Sequence, residues 1–210
     1  TPPTDASGAL GSLRTMSGTA TSIPELARRA SSVAPILART PTGQKDAALR
    51  GAADRLEADV AKLLAANADD VARGEAAGMA QGLLDRLRLD PDRIAGMASG
   101  LRQVADLADP VGLVADEWTR PNGLEITRVR VPLGVVAIIY ENRPNVTSDA
   151  FGLCLKSGNV AFLRGSSAAL ASNMAIASSI RAALVDVGLP ADALVLVDDS
   201  SREAAVEFMQ

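Results

Sequence analysis

The chain has 210 residues, 48% of them hydrophobic, and a formal net charge of −4 at pH 7. The acidic balance argues against a nucleic-acid surface, and the apolar runs are shorter than the ~20 residues that a membrane helix needs. Since there is no His and a single Cys, the composition excludes a Ser-His-Asp triad, a His-ligated or Cys-rich metal site and an internal disulfide, so we expect no metal and a reducing, cytoplasmic location.

The first 108 residues divide into a tail and a helical part. Residues 1–21 lack periodicity, and we interpret them as a disordered tail in which Met16 is a candidate native start. The next helix begins with the capping-box pattern of Ser22 and Glu25. Apolar spacing predicts helices at 23–38, 43–66, 69–77, 80–88 and 91–107. Such amphipathic helices favour packing over chemistry.

A β-hairpin is expected next. After the break at 109–112, strands are predicted from Trp118 to Arg120 and from Leu124 to Val131, around Pro121-Asn122-Gly123. The polar residues keep the hairpin partly solvated. It is either an edge that pairs with a second subunit or a plain solvated hairpin.

Residues 132–210 alternate between strands and helices. The apolar run from Val135 to Ile139 predicts a strand buried on both faces, and the run from Val160 to Leu163 predicts another strand. Helices are expected at 146–157 and 168–186, then a strand at 193–197 and one more helix. This order predicts a parallel, doubly wound (Rossmann-like) sheet, whose ligand lies at the carboxyl ends of the strands.

The loop after the second of these strands is a candidate phosphate site. Arg164 is followed by Gly165-Ser166-Ser167 at a helix start, where free amide groups and the helix dipole favour anions. A guanidinium suits a phosphate such as the 2′-phosphate of NADP. Serine capping beside a surface Arg is an equally good interpretation. Neither G-x-G-x-x-G nor a Walker motif is present to decide between them.

The loop after the first strand, residues 140–145, presents Glu141, Asn142, Arg143 and Asn145. An Asn amide can donate a hydrogen bond to a developing oxyanion. Either Asn142 or Asn145 could instead cap the next helix.

Three further polar features favour structural roles. Cys154 lies among leucines in a helix, which indicates a core thiol with a raised pKa rather than a nucleophile. Lys156, in the last turn, offsets the helix dipole rather than forming a Schiff base. The turn Asp198-Asp199-Ser200 is typical of a helix cap.

The segment PLGVVAIIYENRPNVTSDAFGLCLKSGNVAFLRGSS resembles the signature region of the gamma-glutamyl phosphate reductases, a branch of the aldehyde dehydrogenase superfamily. The strings Y-E-x-R-P-N-V-T, L-K-S-G-N and L-R-G are specific to this branch, and the resemblance extends from Ile23 to Gln210. It implies NADPH-dependent reduction of L-glutamyl 5-phosphate to glutamate 5-semialdehyde with release of phosphate, the second step of proline biosynthesis. It also implies a homo-oligomer, a dimer or a tetramer. The alternatives are another oxidoreductase of the superfamily, although those carry P-W-N-x-P in this loop, and a non-catalytic assembly fragment.

The resemblance also implies roles for individual residues. Arg164 falls where the superfamily has a Lys that touches the adenosine ribose, and Ser167, beside Ser166, falls where NAD-preferring members carry an acidic residue, which favours NADP. The strand end lining the dinucleotide matches Ile138, Ile139 and Tyr140.

For catalysis, spacing from the strand selects Asn142 as the oxyanion donor, but the reductase motif has its regular Asn at Asn145, which we prefer. Arg143 is expected to hold a carboxylate or phosphate of the substrate. The family's catalytic Cys lies beyond the position of Gln210 and does not match Cys154, so we expect this chain alone to be inactive.

The family fold implies a division of the chain into four parts. After the tail come the helical N-terminal part of a cofactor-binding domain (22–108), the hairpin as an oligomerisation segment (109–131) and a truncated dinucleotide-binding unit (132–210). The catalytic domain is expected to be absent from the chain.

Overall fold

The computed structural model describes residues 21–210, so residues 1–20 of the predicted tail, with Met16, lie outside it. Helices come first: α1 (Ile23–Leu37), α2 (Thr42–Ala58), α3 (Val60–Ala76), α4 (Gln81–Leu87) and α5 (Pro91–Asp106). A hairpin of β1 (Val114–Thr119) and β2 (Glu125–Val129) follows. The remainder alternates: β3 (Val135–Ile139), α6 (Asn145–Lys156), β4 (Val160–Arg164), α7 (Leu170–Asp186), β5 (Leu194–Leu196) and α8 (Arg202–Phe208). The predicted α/β class, with its helices, hairpin and sheet, is confirmed.

The strands β3, β4 and β5 form a parallel sheet in that order. Ile139 lies opposite Arg164, and Leu163 lies opposite Leu196, so the carboxyl ends of the strands share one edge. Right-handed crossovers between neighbouring strands place α6 and α7 on the same face of the sheet. The helix α1 contacts all three strands and covers the other face.

The prediction that β3 is buried on both faces is wrong. Ala137 is exposed and Ile139 is 50% exposed, whereas the residues from Val160 to Leu163 in β4 are buried. The reason is that β3 is an edge strand in the described residues and β4 is the central one. An apolar run shows that a strand packs into a core, but it does not show how many strands flank it.

One helix boundary and one helix cap also differ from the prediction. The predicted helices at 43–66 and 69–77 are instead divided at Asp59, and α3 continues through Asn67. The Asp59 carboxylate accepts a hydrogen bond from the Ser179 hydroxyl of α7 at 2.5 Å, so a tertiary contact stabilises the break. The predicted capping box does not form, because the Ser22 side chain makes no capping hydrogen bond.

The helical segment that contains α7 is long and apolar. The window Ser167–Asp186, with a mean hydropathy of 1.4, is long and apolar enough to cross a membrane by length and composition, contrary to the expectation from the apolar runs. Half of this window is buried inside the fold, against neighbours that include α2 and α3. Because the core helix of a globular protein passes the same test, this is weak evidence for a membrane span.

Two buried lysines connect the helices beneath the hairpin. The Lys45 ammonium, 1% exposed, lies 2.5 Å from Asp109. The Lys156 ammonium lies 2.6 Å from Asp46 and donates to the Ala105 carbonyl at 2.8 Å. Lys156 therefore links α6 to α2 and α5, which is a larger role than the predicted offset of its own helix dipole.

The hairpin lies at the surface of the protein. The strand β1 begins at Val114, four residues earlier than predicted. All of β1 is exposed, including Trp118, which pairs with Ile126 across the hairpin. In the part of the chain that the structure describes, β1 and β2 pair only with each other, so each strand keeps an unpaired edge.

Candidate functional site

Three loops meet at the carboxyl edge of the sheet: residues 140–144 after β3, 165–169 after β4 and 197–201 after β5. The Ser166 hydroxyl donates to Asn142 Oδ1, which joins the first loop to the second. The Arg164 Nη2 donates to the carbonyl oxygens of Ser201 at 2.8 Å and of Ser200 at 3.4 Å, which joins the second to the third. The fold thus brings the predicted cofactor residues, from Ile138 to Tyr140 and from Arg164 to Ser167, to one edge.

A buried hydrogen-bond chain supports this edge. The Tyr140 hydroxyl lies 2.7 Å from Thr147 Oγ1, and Thr147 donates to Asn173 Oδ1 at 3.2 Å. Because Thr147 has one hydroxyl hydrogen, Tyr140 must be the donor in the first bond. A Cβ atom at Gly165 would overlap Asn173 Nδ2 and lie 3.2 Å from the Tyr140 ring. The second loop therefore passes the first so closely that a side chain has no room.

Tyr140→Phe should make the stability of the chain less sensitive to alkaline pH. Burial raises the pKa of Tyr140 from its ordinary 10.0 to about 12, although the bond to Thr147 lowers it in part. The folded state therefore keeps the phenol proton longer than the unfolded chain, and its stability falls as the pH rises from 10.0 towards about 12. A pKa shift of this size corresponds to about 2–3 kcal/mol of unfolding free energy. Wild type should lose this stability at alkaline pH, and the Phe variant should not.

The measurement is direct because Tyr140 is the single Tyr in the sequence. Tyrosinate absorbance gives its pKa, and circular dichroism follows the fold in the same titration. Burial also raises the pKa of the Cys154 thiol to about 11, so Cys154→Ser is measured in parallel to separate the thiol's contribution from that of Tyr140. An ordinary tyrosine pKa with the fold intact would contradict the assignment.

The start of α7 is not the free anion site that the sequence predicted. A short 3-10 turn, Ser167–Ala169, precedes α7, and the amide groups of Ala171 and Ser172 donate to the Asp70 carboxylate at 3.3 and 2.7 Å. Asp70, on α3, is fully buried. This carboxylate already occupies the positive end of the helix dipole. An anion at this edge would therefore have to use Arg164 and the two serine hydroxyls.

The two candidate oxyanion donors, Asn145 and Asn142, lie in different places in the structure. Asn145 and Arg143 line a cavity of about 420 Å³, and Asn145 Nδ2 donates to Asp149 Oδ2 at 2.9 Å. Asn142 lies instead on the cofactor side, bonded to Ser166, with its Nδ2 near Met79 Sδ at 3.9 Å. The cavity also contains the guanidinium groups of Arg86 on α4, Arg88 in the connection that follows and Arg93 on α5, none of which local sequence patterns mark as site residues.

The remaining candidates have structural roles. Cys154 is buried in the core, as predicted, and burial raises the pKa of its thiol to about 11. The cap of α8 is Ser201, which accepts from the Ala204 amide at 3.1 Å, rather than a residue of the predicted turn 198–200. In residues 21–210, no three His, Cys, Asp or Glu side chains stand close enough together to hold a metal ion.

Open parallel sheets bind ligands, dinucleotides among them, at the carboxyl ends of their strands, where this chain carries a guanidinium and hydroxyl groups. The chain belongs to the aldehyde dehydrogenase family, which it matches over residues 11–210. Membership of this family implies a nicotinamide dinucleotide cofactor.

Comparison with individual proteins is more specific. The chain is 51% identical over 180 residues to a gamma-glutamyl phosphate reductase of Paramagnetospirillum magneticum, which covers 86% of this chain and 43% of the relative. It is 52% identical over 186 residues to the protein of that name from Parvibaculum lavamentivorans, with coverages of 89% and 44%. The crystal structure of gamma-glutamyl phosphate reductase from Thermotoga maritima matches with a TM-score of 0.87 at 39% identity, over 90% of this chain and 46% of that one. The chain thus spans less than half the length of these relatives.

Proposed function

We propose that the intact protein reduces L-glutamyl 5-phosphate with NADPH to glutamate 5-semialdehyde and phosphate, in the cytoplasm, as the second step of proline biosynthesis. The observation that carries this proposal is the 51% identity, over 86% of this chain, to a gamma-glutamyl phosphate reductase. We propose that the nucleophile is not part of the present sequence, since its single Cys, Cys154, is buried in the core. We therefore propose that this segment alone has no turnover.

The carboxyl-edge residues fit a dinucleotide that carries a 2′-phosphate. Arg164 Nε is buried and has no hydrogen-bond partner among the described residues, so the fold does not satisfy every donor of the guanidinium. Ser167 places a hydroxyl where a carboxylate would repel that phosphate. When bound, NADPH would supply the hydride; the chain's own residues would hold and orient it.

Arg164→Ala in the intact protein should weaken NADPH binding at least tenfold and NADH binding by less than about threefold. A charge-assisted hydrogen bond to phosphate is worth roughly 1.5–3 kcal/mol, and NADH has no 2′-phosphate to lose it. Dissociation constants for both cofactors, measured by fluorescence titration, test this. Arg202→Ala, at the exposed start of α8, is the matched control. An effect on NADPH below about threefold, or an equal effect on both cofactors, would contradict the assignment.

Catalytic roles for three residues after β3 are proposed from the positions of their side chains. Asn145 is our preferred oxyanion donor: Asp149 holds one hydrogen of its amide, and an amide has a second. Asn142 is the second choice, since its side chain is bonded within the cofactor loops. Arg143, in the cavity beside Asn145, is proposed to bind an anionic group of the substrate.

The alternative function is oxidation of a different aldehyde, as in other members of the family. The two differ in their need for phosphate, because the reverse of acyl-phosphate reduction consumes it. The rate of NADP reduction by glutamate 5-semialdehyde should therefore depend on inorganic phosphate. A rate that is unchanged when phosphate is omitted would favour the alternative.

We propose that the hairpin assembles the protein into a homo-oligomer, a dimer or a tetramer. Its support is the unpaired edges and the exposed Trp118. Trp118→Asp should lower the mass of the intact protein in sedimentation velocity, whereas Glu117→Ala, the neighbouring exposed residue on β1, should not. An unchanged mass for Trp118→Asp would exclude this strand from the interface.

A further inference from the structure

The cavity beside Asn145 carries charges of both signs. It has a volume of about 420 Å³ and lies where the start of α6 meets the connection between α4 and α5. Arg86, Arg88, Arg93 and Arg143 line it, together with the carboxylates of Asp85 and Asp149. This volume is within the range of sites that hold small molecules.

Two of the four guanidinium groups already have acidic partners. Arg93 lies 2.9 Å from Asp85, and Arg88 lies 3.4 Å from Glu75. Neither Arg86 nor Arg143 forms an ion pair in the part of the chain that the structure describes. An unpaired guanidinium presents a planar fork of donors that matches a carboxylate. The cavity can therefore bind an anionic group through these two guanidinium groups.

Asp149 places a negatively charged group in the same cavity. Its carboxylate is oriented by the Asn145 amide at 2.9 Å, but within residues 21–210 it forms no ion pair. Burial raises the pKa of this carboxyl, an effect that the Asn145 bond offsets only in part. A cation bound beside it would stabilise the ionised form. Asp149 is thus suited to an ammonium group.

We propose that this cavity binds the α-amino-acid head group of the substrate, with Arg143 and Arg86 holding the carboxylate and Asp149 the ammonium. The inference rests on the proposed function, because a glutamyl substrate carries this head group at the end opposite the reacting acyl group. It assigns a role to Asp149 and Arg86 that the family match does not provide. Asn145 acts as a positioning residue for Asp149 through one amide hydrogen, and its second hydrogen stays available for the role proposed above.

The test is calorimetric binding of three probes to the intact protein. L-glutamate has both charged groups, 4-aminobutyrate lacks the α-carboxylate, and glutarate lacks the α-ammonium. Wild type should bind L-glutamate about tenfold or more tightly than either analogue. The variants are Arg143→Met and Asp149→Asn, which remove the charge and keep most of the side-chain volume. Arg28→Met, on the exposed face of α1, is the matched control.

The expected result is a crossed pattern. Arg143→Met should weaken the preference for glutamate over 4-aminobutyrate, because Arg86 then holds the carboxylate alone, and should keep the preference over glutarate. Asp149→Asn should weaken the preference over glutarate and keep the preference over 4-aminobutyrate. Arg28→Met should change neither preference. A general loss of stability would weaken the binding of all three probes alike and could not produce this pattern. The proposal is overturned if wild type does not bind L-glutamate or if both variants keep both preferences.

Turnover of the wild type separates this inference from the proposed function. A crossed pattern without phosphate-dependent turnover would retain the head-group site and reject the reaction. Turnover with no crossed pattern would retain the reaction and reject the site.

Discussion

Asp70→Ala should lower the free energy of unfolding of the chain by about 3 kcal/mol. Asp70 is fully buried, and its carboxylate accepts from the Ser172 amide at 2.7 Å, from the Ser172 hydroxyl at 2.6 Å and from the Ala171 amide at 3.3 Å. Removing it leaves these donors without partners inside the fold, which costs about 1–3 kcal/mol for each buried group. The expected total is therefore several times the effect of an ordinary surface substitution.

Urea unfolding of wild type and variant, followed by circular dichroism, measures this effect. The control is Asp69→Ala, since Asp69 is the exposed neighbour on the same helix and should change stability by less than about 0.5 kcal/mol. Equal losses for the two variants would show that the buried carboxylate does not hold α7. The consequence extends to the cofactor edge, because Asp70 fixes the helix that follows Ser167.

Gly165→Ala should destabilise the chain by about 2–3 kcal/mol and weaken NADPH binding by the intact protein. The new methyl group would overlap Asn173 Nδ2 and lie 3.2 Å from Tyr140 Cζ, and Asn173 is fully buried and cannot move aside freely. Overpacking of a filled interior costs about 1–3 kcal/mol. The requirement for glycine here is steric, because Gly165 is not among the glycines with positive φ.

A second substitution distinguishes this cause from a general effect of Ala. Asn173→Ala removes the overlapping amide, so the double variant should lose less stability than the two single losses added together. Gly82→Ala in α4 is the control: no atom lies within 4 Å of its new Cβ, and Ala favours a helix over Gly by about 1 kcal/mol. Strict additivity in the double variant would contradict the clash.

The features that could be predicted from the sequence are the local ones. Strand–helix alternation after residue 132 indicated the parallel sheet, and the apolar surroundings of Cys154 indicated an inert thiol. Arg164 and the serines after it were located because a polar cluster follows a strand directly, and parallel strands bring such clusters to one edge. Periodicity and strand order contain this information.

The features that were missed depend on partners far apart in the chain. Asp70 meets Ser172, 102 residues away, and no local pattern marks it as the cap of α7. Asp59 ends α2 beside Ser179, and no local pattern divides that helix there. Arg86 belongs to a short helix that looked like packing alone, and its place in the cavity depends on how α4 meets α6. Such contacts arise from tertiary packing, which overrides local preference.

In the proposed reaction the intact protein interconverts an acyl phosphate and an aldehyde with NADP. The decisive experiment runs this reaction from glutamate 5-semialdehyde with radiolabelled inorganic phosphate and NADP. One labelled, hydroxylamine-sensitive acyl phosphate should form for every NADP reduced, with NAD a poorer substitute. NADPH formation with free glutamate as product and no incorporated label would contradict it.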